Sequence, residues 1–162
     1  MLRIAVVDDE KVMLDRLEEY LTQYGHLHEV QFEIRKFHFP ELFLADYKPV
    51  YDMVLMDIDM PGMNGLETAR RMRTLDENVI LLFVTNLAQY ALHGYEVDAT
   101  DFVVKPLSYS KFEYKMTRAI KHLPRKERPY LLLKTEQGTA SVGIDSVKYV
   151  EVQGHNIFYH TT

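Results

Sequence analysis

Apolar residues recur along the chain in two rhythms: continuous or every-second runs that suit strands, and stripes at intervals of three and four that suit helices. Residues 2–7 read as a buried strand, and Met13, Leu17, Leu21 and Tyr24 lie on one face of a helix that Gly25 is placed to end. Val30, Phe32 and Ile34 alternate as a second strand, residues 40–47 form a short helix opened by Pro40, and residues 51–56 are a third strand running into Asp57. Residues 66–75 read as helix, 79–84 as strand, 87–95 as helix, 102–104 as a short strand and 108–123 as a closing amphipathic helix with Phe112, Met116, Ala119 and Ile120 on its apolar face. Five strand-helix units in succession predict an α/β fold with a parallel sheet, because strands apolar on both sides need cover on both faces and parallel crossovers need helices.

Beyond Leu123 the rhythm changes. Residues 124–129 (PRKERP) carry prolines at both ends, four charges and no apolar residue, which is linker chemistry. Residues 130–134, 139–144, 147–152 and 157–159 then read as antiparallel strands, with turns at residues 136–138 and 153–156. The predicted domains are residues 1–123, a linker over 124–129, and a partial β segment over 130–162.

Open parallel sheets bind ligands at the carboxyl ends of their strands, and the polar residues of this sequence fall there. Asp8 and Asp9 follow the first strand, Asp57 the third, Thr85 ends the fourth and Lys105 follows the fifth. Taken singly, each aspartate could cap a helix or a turn, Thr85 could cap the next helix and Lys105 could be a solvated charge. Taken together they demand a cation, because three carboxylates within ~4–5 Å repel by roughly a few kcal/mol per pair at an effective dielectric of ~20. Oxygen ligands without Cys or clustered His favour a hard ion, and Mg2+, which needs only one or two carboxylates beside water and phosphate oxygens, suits this supply better than Ca2+.

Composition narrows the classes. The 162 residues are 47% hydrophobic and 27% charged, and no apolar run approaches the ~18–20 residues that span a bilayer, so no membrane partner is expected. No Cys is present, which removes disulfides, thiolate nucleophiles and Cys-based zinc sites, and the N-terminus lacks the pattern of a signal peptide; a cytoplasmic protein is expected. The net charge of −5 is uneven, with 14 Lys and Arg against 20 Asp and Glu up to Leu123, and 5 against 4 beyond it. That balance argues against a broad electrostatic grip on nucleic acid. The seven histidines show no metal-ligand spacing, and His26 and His28 read as a solvated pair.

The segments Val6-Val7-Asp8-Asp9-Glu10, residues 54–65 (VLMDIDMPGMNG), Thr85-Asn86 and Val104-Lys105-Pro106 together resemble the signature of the two-component response-regulator receiver domain, in order and spacing, over residues 1–123. The resemblance implies a flavodoxin-like doubly wound sheet in the order 2-1-3-4-5 and makes Asp57 the phosphoacceptor. It also implies Mg2+ held directly by Asp9 and Asp57, by the backbone carbonyl of Asp59, and by Asp8 through water. Thr85 and Lys105 would hold the phosphoryl oxygens, the bond before Pro106 is a candidate cis peptide, and Pro61-Gly62 and Asn64-Gly65 would supply the turns after Asp57. By the same resemblance Thr85 and the aromatic residue at Phe102 form a switch, although Phe102 lacks the hydroxyl of the Tyr common there. The implied partner is a sensor histidine kinase, with no enzymatic turnover beyond self-phosphorylation from phosphodonors and slow self-dephosphorylation, and with homodimers forming on phosphorylation through the helix at 87–95 and the last helix. Haloacid-dehalogenase-type phosphatases share an Asp-x-Asp after a strand, here Asp57 and Asp59, but place their acidic pair after the Lys, whereas Asp8-Asp9 precedes everything here.

Residues 132–134, 144–151 and 160–161 resemble the opening of a LytTR-type (AgrA/LytR-like) DNA-binding domain. Only about a third of such a domain is covered, so the resemblance reads the chain as a fragment of a transcription regulator that reaches promoter DNA through the complete domain. His155 and Asn156, in the loop expected at 153–156, are the candidate DNA contacts. The alternative is a receiver acting through protein contacts, with the tail as a docking hairpin.

Overall fold

The computed structural model describes the chain except residues 87–95, 124–129, 136–137, 144–145, 155 and 162, with residue 130 described by its backbone alone. It divides into two compact units, Met1–Leu123 and Pro124–Thr162. The helix expected at 87–95, the linker at 124–129 and His155 lie outside the described residues.

In the first unit the elements run β1 (Leu2–Val7), α1 (Lys11–His28), β2 (Phe32–Phe37), α2 (Pro40–Ala45), β3 (Met53–Met56), α3 (Gly65–Arg73), β4 (Ile80–Thr85), β5 (Asp101–Val104) and α4 (Tyr109–His122). The strands form one parallel sheet in the order β2-β1-β3-β4-β5. The doubly wound arrangement follows from alternation along the strands. Ile4, Val6, Leu55, Leu82, Val84 and Val103 face one core with Leu14, Leu17, Leu21, Phe112 and Met116 of α1 and α4. Ala5, Val7, Val54, Met56, Leu81 and Phe83 face the other with Phe43, Leu66, Ala69 and Met72 of α2 and α3. In-register pairing sets Val7 beside Met56 and Thr85 beside Val104, so the residues that leave these strands emerge along one rim.

One local expectation is corrected. Gly25 does not end α1, which continues to His28 and stops at Glu29, a residue in the left-handed region at φ 55°. Glycine is needed at 25 for another reason: a Cβ there would lie 2.6 Å from the carbonyl oxygen of Val30, whose N–H donates back to the Gly25 carbonyl. His26 and His28 are both exposed, as expected of a solvated pair, and His28 in addition stacks on Tyr24 and shares a 2.8 Å hydrogen bond with Glu113 of α4.

The second unit holds two antiparallel hairpins, β6 (Tyr130–Thr135) with β7 (Gly138–Gly143) and β8 (Val147–Gln153) with β9 (Asn156–Thr161). They form separate two-stranded ladders. Asn156 is the first residue of β9 and pairs with Gln153, so both belong to strands rather than to the loop expected there.

Candidate functional site

The rim of the sheet collects charge in a buried place. Asp8 leaves β1, Asp57 leaves β3, Thr85 ends β4 and Lys105 leaves β5, and all four are buried; Asp9 is half-buried. The backbone holds them by the ladder itself, with Asp57 N–H donating to Val7 O at 2.9 Å, Asp8 N–H to Phe37 O at 3.1 Å and Lys105 N–H to Thr85 O at 2.9 Å.

Lys105 is the hub. Its Nζ donates to Asp57 Oδ2 at 2.8 Å and to Asp8 Oδ2 at 3.0 Å, and lies 3.7 Å from Glu10 Oε1. The other oxygen of each aspartate is taken by backbone. Asp57 Oδ1 accepts from the N–H groups of Ile58 and Asp59 at 2.7 and 3.3 Å, and Asp8 Oδ1 accepts from Glu10 N–H at 2.9 Å. Burial pushes the Asp8 carboxyl up to about 6, and the charge of Asp57 adds to this; the Glu10 N–H and Lys105 oppose it without cancelling it. Burial works to lower the Lys105 pKa, but the hydrogen bond to Asp57 and the charges of Asp8 and Asp57 win, and it ends raised.

Asp8, Asp9 and Asp57 each bring a carboxylate oxygen within 4.8 Å of the others. One ammonium does not neutralise three carboxylates. A small hard cation with oxygen ligands fits this donor set. Asp59, whose carbonyl is the other expected ligand, is exposed in the loop after Asp57. Phe102 is partly buried and stacks on Phe83 with ring centroids 5.2 Å apart, on the sheet face that Phe83 and Thr85 share by alternation. The Lys105–Pro106 peptide bond is cis.

The loop from Asp57 to α3 differs from the expectation at one point. Gly62 does occupy a turn, at φ 81°, but Asn64 and Gly65 do not form another. Asn64 is the N-cap of α3, its side chain accepting from Glu67 N–H at 2.9 Å, and Gly65 is the first helical residue. Sequence patterns also pass over Glu10, which touches the site through both its N–H and its carboxylate; its place directly after Asp8-Asp9 is the signal that could have found it.

Residues 4–117 match the family described as response regulator receiver domain. The chain is 31% identical over 139 residues to the sensory transduction protein LytT of Bacillus subtilis (strain 168), covering 86% of this chain and 54% of LytT. It is 25% identical over 112 residues to the transcriptional regulatory protein LytR of Staphylococcus aureus (strain N315), covering 69% of this chain and 44% of LytR. The chain thus spans about half the length of these curated relatives. Among solved structures it resembles the response regulator protein TrrA of Thermotoga maritima in complex with Mg(2+)-BeF, at 30% identity and a TM-score of 0.61 over 74% of this chain and 99% of that one.

Proposed function

Because the chain belongs to the response regulator receiver domain family, we propose that it is a phosphorylation-controlled switch that accepts a phosphoryl group on Asp57 from a sensor histidine kinase. The carrying observation is Lys105 Nζ bridging Asp57 Oδ2 and Asp8 Oδ2 beside Asp9 at the carboxyl edge of the sheet. An Asp57 carboxylate oxygen attacks phosphorus, the bond from phosphorus to the donor imidazole breaks, and the imidazole leaves with a proton from solvent. The barrier lies in bringing one anion to another. Lys105 offsets it by its charge, its Nζ passing from Asp57 to a phosphoryl oxygen as the acyl phosphate forms, and the Thr85 hydroxyl accepts the role of second donor. Asp9, Asp57 and the Asp59 carbonyl would hold Mg2+, with Asp8 acting through water, and the ion would supply further neutralisation of the phosphoryl oxygens; the Asp8, Asp9 and Asp57 cluster and the TrrA complex with Mg(2+)-BeF support the choice of ion. Hydrolysis of the acyl phosphate is slow, so the chain is a switch rather than an enzyme of sustained turnover.

Thr85 and Phe102 carry the signal onward in this reading, with Thr85 turning toward the phosphoryl group and Phe102 repacking against Phe83. The phosphorylated chain pairs with a second copy. Output is transcriptional, as the name of the transcriptional regulatory protein LytR supports, through a LytTR-type domain to which the second unit contributes.

Incubation with Mg2+ and acetyl phosphate should place one acid-labile, hydroxylamine-sensitive phosphoryl group on the chain, and Asp57→Asn should abolish it. Labelling of Asp57→Asn at the wild-type rate would overturn the proposal. Sustained release of phosphate from a generic ester would point instead to phosphatase chemistry.

A further inference from the structure

Gly65 stands against the backbone of the phosphoacceptor. A Cβ built on it would overlap the Asp57 carbonyl oxygen outright and would lie 2.9 Å from both the Asp57 carbonyl carbon and Ile58 Cα. All three obstacles are main chain, which cannot swing aside as a side-chain tip can. The Gly65 N–H also donates to Ile58 O at 3.0 Å, so the two ends of the loop 58–64 are stapled together at this one residue.

We propose that Gly65 is a positioning residue for the metal and phosphoryl site: its missing side chain lets α3 seat on the Asp57 peptide and fixes the loop that carries the ligands. The inference rests on the Mg2+ reading of Asp8, Asp9 and Asp57 given above. What must yield to a side chain at 65 decides the consequence. The helix cannot easily retreat, because Leu66, Ala69 and Met72 anchor α3 in the core, Thr68 is buried with its Oγ1 donating to Asn64 O at 2.8 Å, and Asn64 caps the first turn. The loop is the softer partner. Its displacement carries Asp57 and Ile58 together, and the Ile58 N–H is the donor that orients Asp57 Oδ1 at 2.7 Å. Asp59, whose N–H reaches the same oxygen at 3.3 Å, moves with them. A substitution at a residue that touches no ligand atom therefore misplaces two expected ligands.

The test compares Mg2+ affinity, read by amide chemical shifts in the full chain, for wild type, Gly65→Ala and Asn64→Ala. Asn64→Ala removes a helix cap and so lowers stability without filling the space beside Asp57. Gly65→Ala should raise the Mg2+ dissociation constant by about tenfold or more, as loss of a residue that orients a ligand does, while Asn64→Ala should leave it within about twofold. Equal loss in both variants would reduce Gly65 to a stability role and overturn the inference, as would wild-type affinity in Gly65→Ala. A second measurement needs no variant: binding and stapling are linked, so Mg2+ should slow exchange of the Gly65 amide in the wild-type chain. Unchanged exchange on saturation with Mg2+ would also overturn it. Wild-type chain that takes up no Mg2+ at all would fail the metal reading itself, an outcome distinct from wild-type binding that Gly65→Ala leaves unaltered.

Discussion

Asp8 pays for its place in the site. Its carboxyl is fully buried and is raised from 3.8 to about 6, so the folded chain holds a proton there over a range in which the unfolded chain has lost it. A group whose pKa rises on folding contributes stability below its unfolded value and loses it as pH climbs through the folded value, here from about 4 through 6. Above pH 6, without metal, the ionised carboxylate is a cost on the order of 3 kcal/mol, since one pKa unit is about 1.4 kcal/mol and the raised value is what remains after Lys105 has offset part of the burial. Asp8→Asn should therefore be more stable than wild type at pH 7 in chelator by denaturant unfolding, with the gap closing toward pH 4. Mg2+ should stabilise wild type more than the variant and so narrow or reverse the gap. A variant less stable than wild type at pH 7 in chelator would refute the assignment. Aspartates at strand ends are visible in the sequence because a polar residue breaks an apolar run. The seat of Gly65 is not visible, because it depends on which backbone lies opposite, and no neighbouring residue encodes that.

At the level of elements, α3 ends on a residue that binds two loops together. Arg73 donates from Nε to Val97 O at 2.9 Å, from Nη1 to Val79 O at 2.8 Å, Glu77 O at 3.1 Å and Asp76 O at 3.4 Å, and from Nη2 to Asp98 O at 3.0 Å. Burial lowers its pKa against the nearby Asp98 and Asp76. Asp98, at φ 47°, holds a left-handed conformation that a non-glycine residue adopts only when its surroundings dictate it. Asp76 adds to the junction by accepting from Tyr47 OH at 2.9 Å and from the N–H groups of Asn78 and Val79. Arg73→Gln leaves several carbonyls without their donor and should cost about 2–3 kcal/mol, because an unsatisfied part-buried acceptor forfeits its full desolvation. Arg71→Gln breaks only an exposed pair with Glu67 one turn away and should cost less than about 0.5 kcal/mol. Equal unfolding midpoints for the two variants would show that the junction carries no such weight. Arg73 reads in the sequence as one more basic residue on the solvent face of α3, since its partners come from loops 3 to 25 residues away. The strands are more legible: β3 and β4 are buried on both sides and therefore continuous in apolar residues. The end of α1 is less so, because Gly25 and Glu29 exchange the roles that helix-stop rules give them.

The two units of the molecule differ in how well each could stand alone. The first encloses two cores around its sheet, whereas the second offers two-stranded ladders with Leu132, Val150, Val152, Ile157 and Phe158 between 45% and 67% exposed. Hairpins of this kind are marginal by themselves, and their open edges are free to pair with further strands. Charge is equally undeveloped, at 5 Lys and Arg against 4 Asp and Glu over the linker and the hairpins together, from Pro124 onward. Affinity for a duplex scales with the phosphates that a protein neutralises, each adding about −0.9 to the slope of log affinity against log salt, so a nearly neutral surface on an acidic chain can engage few of them. This 162-residue chain should bind promoter duplex feebly in fluorescence anisotropy, with a slope no steeper than about −2 and little difference between promoter and scrambled sequence. On the proposed reading, a version carried to the full length of LytT should bind more tightly, and more so when phosphorylated, because pairing of two receivers would bring two output domains to adjacent half-sites and make the second contact intramolecular. Tight, sequence-selective binding by the 162-residue chain would place the DNA contacts on these hairpins alone. A full-length version that ignored DNA in both states would instead assign the output to protein contacts.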